Sequence, residues 1–159
     1  MGMYSWIEDC DVEIVNPEGL KEYVLKILRD ELRYSINEEY AKSLLKEEFR
    51  EKTATEIEAI DATELFTGTN IGWDNWKIIQ YWYDEFVIFI RDLSAFIEGE
   101  ILLEYETEEE KAKIEFTNGV TNIEIGTFNW AKIDKNDLMR EASGKEDEFV
   151  KRARALNRI

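Results

Sequence analysis

The sequence predicts an α+β domain: an antiparallel sheet with a C-terminal three-stranded meander, and helices packed on one of its faces. Three observations carry this. Apolar and polar residues alternate with period two in two separate places, residues 9–14 and 101–125. Apolar stripes of helical period lie between them. Asn118-Gly119 sits inside the second run, and this dipeptide accepts the positive φ angles of a tight hairpin turn. A ferredoxin-like arrangement is one instance of this class.

The first strand is expected over Tyr4 to Val15, where Cys10, Val12 and Ile14 alternate with Asp9, Asp11 and Glu13. Asn16-Pro17-Glu18 then starts a helix, with Asn as cap, Pro at the first helical position and an acid in the first turn. The stripe Leu20, Tyr23, Val24, Ile27 and Leu28 predicts that it runs through about Tyr34. Asn37-Glu38-Glu39 predicts a second helix, with Tyr40, Leu44, Leu45 and Phe49 as its apolar face. Residues 53–72 mix apolar positions with Thr and Gly, which suits short helical turns and a loop. From Trp76 to Tyr83, aromatic and β-branched residues favour a strand. A buried helix follows through Phe86, Phe89, Ile90, Leu93, Phe96 and Ile97, and Gly99 is expected to end it.

In the meander, Ile101, Leu103 and Tyr105 alternate with Leu102, Glu104 and Glu106. Glu108 to Lys111 form a charged turn. Lys113 and Glu115 alternate with Ile114 and Phe116, and Glu124 stands between Ile123 and Ile125. Phe128 and Trp130 extend the third strand past a bulge at Gly126. Residues 145–159 carry five basic and three acidic side chains, so the rest of the chain holds −18. They read as a helix with Phe149, Val150, Ala153 and Leu156 on its apolar face. Ser143 and Gly144 mark a hinge between a domain of residues 1–142 and a helical extension of residues 143–159.

Charge bounds the function. The 159 residues include 36 acidic and 20 basic side chains and no histidine, for a net charge of −16. A disordered acidic chain lacks aromatic residues, whereas here they are 13%. The charge opposes direct binding to nucleic acid or an anionic membrane and favours a partner protein with a basic surface. Cys10 is the single cysteine, so no disulfide forms within the chain. The longest apolar stretch, Ile78 to Ile90, is broken by Gln80, Asp84 and Glu85 and is too short to span a bilayer. No leader is visible, and a cytoplasmic location is expected.

The absence of histidine removes the usual acid–base residue near neutral pH and the commonest metal ligand. Cys10 reads as a small buried strand residue. No phosphate-binding glycine loop occurs, and Asp9, Asp11 and Glu13 lack the glycine and terminal glutamate of a calcium loop. No catalytic residue, metal or cofactor is therefore expected. One enzymatic pattern survives as a third reading. A metal-dependent nuclease can use an acid upstream of Glu-x-Lys, and Glu104, Glu106 and Glu109-Glu110-Lys111 can be forced into that form.

The stronger candidate is the polar face of the sheet. Asp9, Asp11, Glu13, Glu104, Glu106, Glu115 and Glu124 all occupy the alternate positions opposite the apolar ones. Carboxylates two apart on a strand stand about 6.6 Å apart and make a regular anionic lattice. Such a lattice suits a basic groove; the plain alternative is a solvated face that only aids solubility. A second interface candidate is the aromatic set Trp73, Trp76, Tyr81 and Trp82, which would serve an immunity or adaptor module. In composition the chain resembles acidic anti-restriction and anti-CRISPR proteins. That resemblance implies a non-enzymatic inhibitor of a host nuclease, carried by a phage or mobile element. A homodimer, with the basic tail on the acidic face of a second copy, is a further option.

Overall fold

A computed structural model describes residues 4–66, 77–79, 84–105, 110–127, 132–134, 140 and 144–157. It is α+β, with an antiparallel sheet covered on one face by helices. The strands are β1 (Tyr4–Ile14), β2 (Lys77–Ile79), β3 (Ile97–Tyr105), β4 (Glu110–Thr117), β5 (Val120–Thr127) and β6 (Lys132–Asp134). They lie in the order β2-β1-β3-β4-β5-β6, and every neighbouring pair is antiparallel. A ferredoxin-like sheet is also antiparallel between neighbours, but it interleaves two split βαβ units. Here β1 splits β2 from β3 while β3 to β6 follow in chain order, so that arrangement is met only in part. The meander is realised as β3-β4-β5 and continues into β6.

The helix α1 (Pro17–Leu28) starts as its sequence requires. Asn16 caps it by accepting the Gly19 N–H at 3.0 Å, and Pro17 opens the first turn. It stops six residues before Tyr34. Asp30 adopts φ 53°, its N–H bonds the Ile27 carbonyl at 3.1 Å, and the Glu31 N–H reaches the Lys26 carbonyl at 2.9 Å. This pair of bonds is a Schellman termination with Asp in the place glycine usually takes. Glycine pays no Cβ penalty in that region, so Asp30→Gly is expected to stabilise the fold by up to about 1 kcal/mol. The gain is reduced by loss of the exposed Ser35–Asp30 hydrogen bond, 2.8 Å. A urea denaturation midpoint at or below that of the parent protein would count against this account.

Four shorter helical segments follow. They are α2 (Glu38–Leu44), a 3-10 turn (Glu47–Phe49), α3 (Ala54–Glu58) and α4 (Ala62–Leu65). Each α-helix among them has a side-chain cap: Asn37, Thr53 and Asp61. Thr53 and Glu56 form a full capping box, a T-x-x-E signal present in the sequence.

The helix α5 (Asp84–Leu93) corrects one expectation. It ends at Leu93, not at Gly99, and the turn closes through Ala95 N–H to Asp92 O and Phe96 N–H to Leu93 O. The Phe96 carbonyl accepts from Val15 and Asn16, and Ile97 pairs with Ile14. Pairing with β1 thus overrides helical periodicity at Phe96 and Ile97. Two further corrections concern strands. Glu110 and Lys111 begin β4 instead of closing a turn. Gly126 pairs regularly with Lys111, and the irregularity lies in β1 between Ile7 and Asp9. The Asn118-Gly119 turn is present, with φ 52° and 76°.

The core lies between the sheet and the helices. Val12, Ile101, Ile114, Phe116 and Ile123 supply the sheet side, and Leu20, Tyr23, Val24, Phe86, Phe89 and Leu93 the helix side. Tyr23 packs on Phe96 with ring centroids 5.3 Å apart, and Tyr40 on Phe89 at 5.4 Å. The last helix, α6 (Glu148–Asn157), docks through Val150, Ala153 and Arg154, all buried. Leu156, expected on its apolar face, is 69% exposed; it lies in the last turn of the helix, past the buried contacts of Val150, Ala153 and Arg154.

Candidate functional site

Strand register shows which polar residues become neighbours on the open face of the sheet. Asp11 lies opposite Glu100, Glu100 opposite Glu115, and Glu115 opposite Asn122. In the next row Glu13 lies opposite Glu98. Asp11, Glu13, Glu98 and Glu100 are exposed, and Glu115 is half-buried. Directly opposed side chains have Cβ atoms about 5 Å apart, and like charges there destabilise by a few tenths to about 1 kcal/mol per pair. Lys113 offsets part of this repulsion. Its ammonium lies 2.7 Å from Glu115 and 3.4 Å from Glu100. The Glu115 carboxylate, and after it Glu100, hold that ammonium above its ordinary pKa. Among the described residues, Asp11, Glu13 and Glu98 have no ion-pair partner.

The other sequence-predicted residues are spread more widely. Asp9 pairs in register with Leu102, and Lys113 with Glu124, in the row beyond Asp11. Glu104 falls one row further on, where register sets Lys77 opposite Trp6, Trp6 opposite Glu104, Glu104 opposite Lys111, and Gly126 opposite Lys132. The acidic lattice is therefore polarised. In register, acidic positions crowd the rows nearest Glu13, while lysine positions occur in the row of Trp6. Glu106 lies outside the described residues, as do Trp73, Trp76, Tyr81 and Trp82. Glu98 and Glu100 were missed by sequence reading. Their signal was the alternation of 98, 100, 102 and 104, hidden because Gly99 read as the end of a helix.

Beside α1, basic and acidic side chains meet. A cleft of about 350 Å³ beside α1 is lined by Lys21, Lys26, Arg29, Glu22 and Glu58, among others. Lys21 donates to the Glu58 and Ile60 carbonyls at 2.8 and 2.6 Å, and Arg29 pairs with Glu58 at 2.9 Å. Lys26 sits over the Phe149 ring, 5.2 Å from its centroid. Among the described residues no cluster of three or more acidic or cysteine side chains is arranged to hold a metal ion, and no helix is long and apolar enough to cross a membrane.

A second polar constellation is buried. Arg154 of α6 is 4% exposed and uses all five of its N–H donors. Nε donates to Glu146 at 2.9 Å and Nη2 to the Arg91 carbonyl at 2.9 Å; Nη2 also reaches Glu146, and Nη1 reaches Ser94 and the Gly119 carbonyl. One guanidinium thereby joins α6, the end of α5 and the β4–β5 turn. Beside it, Asp92 is 2% exposed and accepts a hydrogen bond from Tyr23 at 2.7 Å.

No family model, no curated protein and no solved structure matches this chain.

Proposed function

We propose that this is a small non-enzymatic binding protein, which docks the acidic end of its open sheet face on a basic surface of a partner protein. The supporting observation is the register of Asp11, Glu100 and Glu115 in one row and Glu13 and Glu98 in the next. A face needed only for solubility gains nothing from setting like charges directly opposite one another, where they cost stability. The narrower form of the proposal is mimicry of nucleic acid, with the carboxylates taking the place of phosphates in the groove of a nuclease.

Charge reversal on this face should act on stability and on binding in opposite directions. Glu98→Lys removes the repulsion with Glu13, so it should raise stability by a few tenths to about 1 kcal/mol. Glu98→Lys with Glu100→Lys should weaken partner binding at least tenfold, and binding to the parent protein should fall as salt rises. The experiment is affinity capture from lysate at low salt, followed by titration of the captured protein. A control variant, Glu47→Lys with Glu48→Lys, makes the same charge change on the exposed 3-10 turn. Equal loss in both variants would reduce the effect to bulk charge, and no loss in either would overturn the docking site. If the captured partner keeps its nucleic-acid binding in the complex, mimicry fails while docking stands.

A further inference from the structure

The chain has no histidine, yet its core holds a buried ionisable carboxyl group. Asp92 lies in the last turn of α5, with Oδ2 accepting from Tyr23 of α1. Its Oδ1 is buried and has no hydrogen-bond partner among the described residues. An anion held by one hydrogen bond in such a place is poorly compensated. Burial pushes the Asp92 carboxyl up to about 7, and the neighbouring Glu146 charge adds to this. The Tyr23 hydroxyl, Arg154 and Arg91 pull the other way without reversing it. The remaining acid near the pair is Asp147, which acts on the Tyr23 hydroxyl and also caps α6 by accepting from Phe149 at 2.9 Å.

We propose that Asp92 and Tyr23 form a proton-linked joint, in which one proton bound at Asp92 tightens the packing of α1 and α6 on the end of α5, and its release loosens that packing. The arrangement makes this local. Glu146 is already committed to Arg154 and lies 3.8 Å from Arg91. An ionised Asp92 brings a second carboxylate to the same two arginines and competes with Glu146 for them. Because Arg154 also holds the β4–β5 turn and the end of α5, that competition bears on the seating of α6.

The sign is fixed by which state binds the proton more tightly. The native carboxyl keeps its proton to higher pH than the unfolded one, which releases it near pH 4. Stability from this group is therefore complete below about pH 4 and is lost as pH rises towards about 7. Within that window the unfolding equilibrium constant should rise up to about tenfold per pH unit. Ordinary carboxylates titrate below pH 5, and thiols and amines above about 7.5, so the window between them suits a test of Asp92.

The test is chemical denaturation of the full chain from pH 4.5 to 8, compared with Asp92→Asn and Tyr23→Phe, together with carbon-13 NMR titration of the aspartate carboxyls. Asp92→Asn should flatten the profile between pH 5 and 7. Tyr23→Phe removes a hydrogen bond that favours the anion and should move the decline to higher pH. A profile unchanged by Asp92→Asn would overturn the proposal. If that variant does not fold, the parent protein decides: all aspartate carboxyls titrating below pH 5 would overturn it, and one titrating above pH 6 would support it.

Discussion

Gly99→Ala is expected to remove about 3–5 kcal/mol of stability, a large part of the roughly 5–15 kcal/mol that a domain of this kind has. Gly99 sits in β3 at φ 130°, where an L side chain is strained whatever the space around it. That strain alone is worth about 1–3 kcal/mol. Space is also lacking. A Cβ at this position would stand 2.1 Å from the Asp11 carbonyl oxygen and 2.8 Å from the Val12 Cα. Both are backbone atoms of β1, so no rotamer change relieves the contact. The strands must part, and β1–β3 pairing is what holds β1 to the meander. Overpacking of this sort costs a further 1–3 kcal/mol or so. Denaturant midpoints should separate Gly99→Ala from Glu100→Ala, an exposed change one residue away. Matching midpoints for the two would contradict the close approach.

Arg154→Met comes second, at about 3–5 kcal/mol. The loss arises less from the ion pair itself than from what its removal strands. Glu146 is 6% exposed and would be left with Arg91 at 3.8 Å as its remaining cation. The Gly119 and Arg91 carbonyls and the Ser94 hydroxyl would each lose a donor. Arg154→Lys has only three donors for these acceptors and should recover little. Adding Glu146→Gln to Arg154→Met removes the stranded charge and should regain a substantial part of the loss. A double-mutant cycle measures that coupling. A single variant within 1 kcal/mol of the parent would show that α6 does not depend on this contact.

These two positions also mark where sequence reading reaches its limit. Gly99 follows a run of apolar residues at helical spacing, and a glycine after such a run ordinarily signals a helix end. Nothing local distinguishes that from a glycine chosen for the close approach of another strand, because the approaching atoms belong to residues 11 and 12. The misreading then concealed Glu98 and Glu100, which complete the acidic face with Asp11, Glu13 and Glu115. Arg154 looked like one of several cations at the end of a helix, favourable to its dipole. Its burial depends on Glu146, Ser94 and Gly119, separated in sequence by 8, 60 and 35 residues.

The sequence by itself determined what depends on near neighbours. The caps at Asn16 and Asn37, the Asn118-Gly119 turn and the alternation of β1 and β4 arise from interactions a few residues apart, so their signals lie side by side in the chain. The missing histidine and the charge of −16 were likewise evident at once. Only the tertiary structure decided the strand order, the rows in which carboxylates meet, and the environment of Asp92. Register couples residues far apart in the chain, and burial depends on everything packed around a group. Asp92 is an ordinary acid in the sequence and a near-neutral one in the fold, because water has been excluded around it.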